Sequence, residues 1–114
     1  MDFVIYHNPR CKKSRETLHI LQEKGVEPSV VKYLDNPLDK KSLQAICKKL
    51  GIEATDLLRK NEAIFKENYK GKKLDHNTAA EAIAKYPKLM QRPVVVKGDR
   101  AVIGRPPENV LELL

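Results

Sequence analysis

The sequence predicts an α/β fold: a four-stranded mixed sheet with a helical block inserted at its middle. Three observations predict it. Short β-branched runs cluster towards the two ends of the 114-residue chain. Between about residues 38 and 88 the apolar residues recur with helical spacing instead. Turn residues, among them Asn8-Pro9 and Gly98-Asp99, separate the runs.

The elements follow in order. Phe3-Val4-Ile5-Tyr6 reads as a first strand, closed by the Asn8-Pro9 turn. A helix is expected over about 12–24, with Gly25 at its left-handed C-terminal cap. Ser29-Val30-Val31-Lys32-Tyr33 is a second strand, so the first third is a βαβ unit with parallel strands. Leu43, Ile46, Cys47 and Leu50 then mark a helix that Gly51 ends. Leu57-Leu58 and Ile64-Phe65 predict one or two short helices. Asn77 is the expected cap of another, with Ala80, Ile83 and Ala84 on one face. Pro93-Val94-Val95-Val96 and Ala101-Val102-Ile103 form a hairpin around Gly98-Asp99. A final helix is expected with Val110, Leu111 and Leu114 on one face. Without the helical block, this is the element order of a thioredoxin-like fold. One domain over 1–114 is expected, with the insertion over about 38–88. In such a fold the loop after the first strand meets the loop entering the third, and a cis Arg92-Pro93 bond is expected there.

Composition narrows the function classes. No apolar run approaches the roughly 20 residues of a membrane helix. No signal peptide is read at the N-terminus, so a cytoplasmic location is expected. The formal net charge is +7, but aromatics are only 5% and no nucleic-acid-binding motif accompanies the lysines, so no nucleic-acid partner is expected. Cys11 and Cys47 should both be thiols in a reducing compartment. No Cys and His set has metal-ligand spacing.

The chemistry gathers at Cys11. It lies between a strand end and a helix start, where unpaired N–H groups stabilise a thiolate and bind anions. Arg10, Lys12, Lys13 and Arg15 surround it, and no acid intervenes before Glu16. His7 is placed to donate to the sulfur or to set its protonation. Ser14 stands where a dithiol motif carries its second cysteine, so Cys11 needs a resolving thiol from elsewhere. Cys47, on an apolar helical stripe, reads as a small hydrophobe. His19 and His76 read as surface residues. Arg59, Arg92 and Arg105 stand apart from the lysine pairs, and arginine forks match tetrahedral oxyanions in a bidentate way.

Four segments together carry a family resemblance. Tyr6-His7-Asn8-Pro9-Arg10-Cys11-Lys12-Lys13-Ser14-Arg15-Glu16-Thr17 resembles the active-site loop of glutaredoxin-coupled arsenate reductases. Leu57-Leu58-Arg59-Lys60-Asn61-Glu62, Gln91-Arg92-Pro93-Val94-Val95-Val96 and Ile103-Gly104-Arg105-Pro106-Pro107 follow in family order. The chain departs from well-known members in carrying Lys12-Lys13 where a smaller, less charged pair can occur. The resemblance implies that Cys11 attacks arsenate to form a covalent adduct. Arg59, Arg92 and Arg105 then match the oxyanion-binding arginines, and His7 a residue that supports the cysteine. Glutathione is the implied co-substrate and glutaredoxin the implied partner, with no tightly bound cofactor. Two other readings share these residues: a related thiol-disulfide oxidoreductase acting on another substrate, and a superfamily regulator that binds RNA polymerase. Regulators that sense redox state commonly use a second cysteine three residues on, and Ser14 argues against that switch.

Overall fold

The computed structural model describes residues 2–114. They form two compact units, one of Pro37–Gln91 and one of the residues before and after it.

The discontinuous unit holds the sheet. Its elements are β1 (Phe3–His7), α1 (Lys12–Glu23), β2 (Ser29–Lys32), β3 (Val94–Lys97), β4 (Arg100–Ile103) and a C-terminal 3₁₀ helix (Pro107–Leu113). The strand order is β2-β1-β3-β4, the expected thioredoxin-like arrangement. β1 runs parallel to β2 and antiparallel to β3, and β3 and β4 form the hairpin. Ile5 is paired on its two sides with Val30 and Val95.

Alternation along β1 buries Phe3, Ile5 and His7. Phe3 and Ile5 join Leu21, Val95, Val110 and Leu113 in the core cluster. Helical spacing buries Ser14, Thr17 and Leu21 along one face of α1. The two periodicities together bring His7 under the first turn of α1, and this sets the site described below. α1 ends as expected: Gly25 has φ +80°, and Val26 N–H and Gly25 N–H bond back to Leu21 and Gln22 carbonyls.

The last helix differs from expectation. It is a 3₁₀ helix that buries Pro107, Val110 and Leu113, every third residue. At three residues per turn, Leu111 and Leu114 rotate off that face, and they are 43% and 49% exposed.

The contiguous unit is helical: α2 (Lys40–Leu50), α3 (Ala54–Leu57), α4 (Ala63–Tyr69), α5 (His76–Lys85) and a short 3₁₀ turn (Pro87–Leu89). Asp39 caps α2 by accepting from Ser42 N–H at 2.8 Å. α2 buries Leu43, Ile46 and Cys47. The cap of α5 is Asp75, not Asn77. Asp75 accepts from Thr78 N–H at 2.8 Å, and Thr78 Oγ1 accepts from Asp75 N–H at 2.9 Å, a reciprocal box that Asn77 has no partner to form. His76 is not a bare surface residue either: its Nδ1 accepts from Ala54 N–H at 3.0 Å, tying α5 to α3. The chain around Arg59 is pinned by Arg59 N–H to Leu89 O at 2.7 Å and Gln91 N–H to Leu57 O at 2.8 Å.

Candidate active site

Cys11 occupies the N-cap position of α1 with extended backbone angles, φ −92° and ψ 121°. Its own N–H bonds Asn8 O at 3.0 Å, and its carbonyl accepts the first helical bond from Arg15 N–H at 3.0 Å. The turn before it is tied internally: Asn8 Oδ1 accepts from Arg10 N–H at 3.0 Å and Pro9 O accepts from the Arg15 guanidinium at 2.9 Å. Fixing this turn fixes where the sulfur sits relative to the helix start.

The thiol is 8% exposed. Burial alone raises a thiol pKa, yet the Cys11 pKa lies below the ordinary value. The backbone N–H of Ser14, the Arg92 guanidinium acting by hydrogen bond and by charge, and the N–H of Lys13 together outweigh burial. Arg105 adds a second guanidinium, with one terminal nitrogen 4.0 Å from Sγ. The same nitrogen donates to Arg92 O at 3.3 Å, which orders the two arginines against each other. Arg92 Nε is buried and makes no hydrogen bond within the described residues. A buried donor without an acceptor is costly, so this nitrogen is free to donate to an anion placed beside it.

His7 meets Ser14 rather than the sulfur. Its Nδ1 lies 2.6 Å from Ser14 Oγ, which also accepts from Asn8 N–H at 3.1 Å. Burial lowers the His7 pKa, and the charges of Lys32 and Arg15 lower it further, so the ring is neutral near pH 7. Ser14 is fully buried and serves twice: its N–H faces the sulfur and its hydroxyl bonds the imidazole. His7 is thus linked to Cys11 through Ser14.

Pro93 is buried, the Arg92–Pro93 bond is cis as expected, and Pro93 O accepts from Gly104 N–H at 2.9 Å. A second cis bond lies at Arg105–Pro106. Gly104 is a residue sequence reasoning passed over. A Cβ there would lie 2.5 Å from Thr17 Oγ1 and 2.9 Å from the Pro93 ring, so only glycine lets α1 and both arginine-bearing segments close together. The tight pairing of Gly104 with Arg105 is a signal the sequence offers only once β4 is known to end beside α1.

Arg59 belongs to the helical unit. Its guanidinium is half-buried and donates to the Glu62 carboxylate. Cys47, in the same unit, is fully buried. Burial, then the charges of Glu53 and Asp56, push its thiol up to about 11. Both cysteines are free. Among the described residues no three His, Cys, Asp or Glu side chains gather where a metal ion could be held, and no helix is long and apolar enough to cross a membrane.

Known proteins with the same layout place this site in a family. An Escherichia coli K12 protein, the uncharacterized protein YfgD, is 50% identical over 112 residues, covering 96% of this chain and 94% of its own length. An arsenate reductase of Haemophilus influenzae is 43% identical over 116 aligned positions and covers both chains fully, 100% each. The solved structure of an arsenate reductase from Vibrio cholerae superposes with a TM-score of 0.94 at 43% identity, over 100% of this chain and 98% of that one. The ArsC family model matches residues 6–113. With Cys11, Arg92 and Arg105 all inside the matched span, the chain belongs to the ArsC family.

Proposed function

We propose that this chain reduces arsenate to arsenite through a covalent Cys11–arsenate adduct that an outside thiol resolves. One observation carries the reading: a low-pKa thiol at a helix start, beside Arg92 and Arg105, with Arg92 Nε left without a partner. The names of the relatives supply the substrate, since the pocket chemistry suits tetrahedral oxyanions in general.

Cys11 thiolate attacks arsenic, an S–As bond forms, and one arsenate oxygen departs as water after taking up protons. Arg92 and Arg105 offset the charge that builds on the remaining oxygens. The family resemblance assigns Arg59, the guanidinium held by Glu62, as the third oxyanion ligand. Glutathione thiolate then attacks the adduct at sulfur. The S–As electron pair passes to arsenic, which leaves as arsenite, two electrons more reduced. Cys11 is left in a mixed disulfide with glutathione. A glutaredoxin thiol takes up the glutathione and returns Cys11 to the thiol. Glutathione is therefore a co-substrate, and the reducing cytosol is the matching compartment.

The test is arsenite formation with glutathione, glutaredoxin and an NADPH-driven regenerating system. Wild type should turn over and Cys11→Ser should not. No arsenite from wild type, with active coupling enzymes, overturns the proposal.

A further inference from the structure

An open cavity of about 340 Å³ lies beside the turn that precedes Cys11. The turn 7–10 forms one wall, and Lys32, Leu34 and Asp35, from the end of β2 and just beyond, form the other. The volume falls at the small end of the range for small-molecule sites. We infer that this cavity receives the amino-acid end of glutathione, so that the resolving thiol reaches Cys11 from the β2 side. The inference rests on the reading that an outside thiol resolves Cys11.

Three observations support the assignment. The first is position. Asn8, a wall residue, bonds Cys11 N–H through its carbonyl at 3.0 Å, so the cavity and the nucleophile share one rigid turn. In the sheet, β1 stands between β2 and β3. The arginines at Cys11 come from the segments flanking β3 and β4, whereas the cavity opens towards β2, which leaves the oxyanion and the thiol separate sites.

The second is charge. The walls carry two cations, Arg10 and Lys32, and one carboxylate, Asp35. The γ-glutamyl end of glutathione at neutral pH carries groups for both signs: one carboxylate for a wall cation and one ammonium for Asp35. A simple tetrahedral anion has no group for Asp35 and is repelled by it. His7, also on the wall, adds no cation because it is held neutral. The third is shape and polarity. Pro9 and Leu34 give the cavity an apolar surface between its charges, and Leu34 is 36% exposed, which suits the methylene chain of a γ-glutamyl group.

Two measurements test the site. The first is direct and needs no turnover. The backbone amide signals of the protein are followed by NMR while S-methylglutathione, which cannot react, is added to millimolar levels. Shifts centred on 7–10 and 32–35 are expected, with inorganic phosphate unable to displace the ligand from them. No shift there, or the same shifts with phosphate alone, overturns the site. The second reads kinetics in Asp35→Lys and Lys32→Glu. Each should raise the KM for glutathione about fivefold, the effect of turning an attraction into a repulsion at an exposed rim, while the KM for arsenate stays within about twofold. Unchanged glutathione KM in both variants, with normal arsenate turnover, overturns the site and leaves the reductase reading standing. Absence of turnover in wild type overturns that reading, and the NMR titration still decides whether the cavity takes the ligand.

Discussion

Cys11 and Cys47 are both buried free thiols, 8% and 0% exposed, and their acidities move in opposite directions. Burial raises both. At Cys11 the N–H groups of Ser14 and Lys13 and the Arg92 guanidinium reverse it. At Cys47 nothing does, and Glu53 and Asp56 add to it. Cys11 precedes a helix and Cys47 lies in the third turn of one, where the backbone N–H groups are already spent on helical bonds. Reactivity in this chain is thus decided by which donors face the sulfur, and burial sets only the amount they must overcome.

The largest expected effect breaks the comparison at its reactive end. Cys11→Ser should reduce arsenite formation by about a thousandfold or more, to background, because the thiolate nucleophile is gone. Cys47→Ala should leave turnover within about twofold. Arg92→Ala and Arg105→Ala come next. Each should lower kcat/KM by about a hundredfold, the effect of losing one charge-stabilising donor, and Arg92→Ala should also raise the Cys11 pKa. Rates of iodoacetamide alkylation against pH read the latter directly.

The same alkylation profile in wild type sharpens the contrast. Cys11 should react with a midpoint below the free-thiol value of about 8.5. Cys47 should stay unreacted in the folded protein until the solution approaches its own pKa of about 11. A stability consequence follows with a definite sign. The folded-state pKa of Cys47 is raised, so the neutral thiol favours the fold at and below neutral pH. That contribution is lost as pH climbs from the unfolded thiol value towards about 11. Wild type should therefore lose on the order of 2 kcal/mol more than Cys47→Ala over that interval, measured by urea unfolding. A smaller effect, about 1–3 kcal/mol of stability, is expected for Gly104→Ala, which drives a methyl group into Thr17 and Pro93. The smallest is Ser14→Ala. It should cost about 1 kcal/mol and shift the His7 titration seen by NMR, while its N–H continues to face Cys11.

The division between what was legible and what was not follows the range of the interaction. β1, α1, β2 and the hairpin were readable because alternation, helical spacing and caps are local signals. The β1–β2 and β3–β4 pairings followed from the βαβ unit and the hairpin, whereas β3 lying beside β1 rested on the thioredoxin-like element order. Cys11 and the arginines stood out by their residue types. The His7–Ser14 bond did not, because it depends on how far α1 is advanced over β1, which no local pattern encodes. Asp75 and Asn77 are both good caps by type, and only the Thr78 hydroxyl separates them. At the C-terminus, 3₁₀ winding rotated Leu111 and Leu114 out of the face that an α-helix assigns them.

The discontinuity of the sheet unit has a consequence for synthesis. The ribosome releases β1, α1 and β2 first, and β3 only after the whole of Pro37–Gln91. β1 is paired on one side alone until then, and Arg92, whose charge stabilises the Cys11 thiolate, and Arg105, which lies beside the sulfur, are not yet made. The nascent chain therefore carries Cys11 without either guanidinium, and with it a less oxidisable sulfur. The sulfur gains its guanidinium neighbours late, from segments made only after the helical unit.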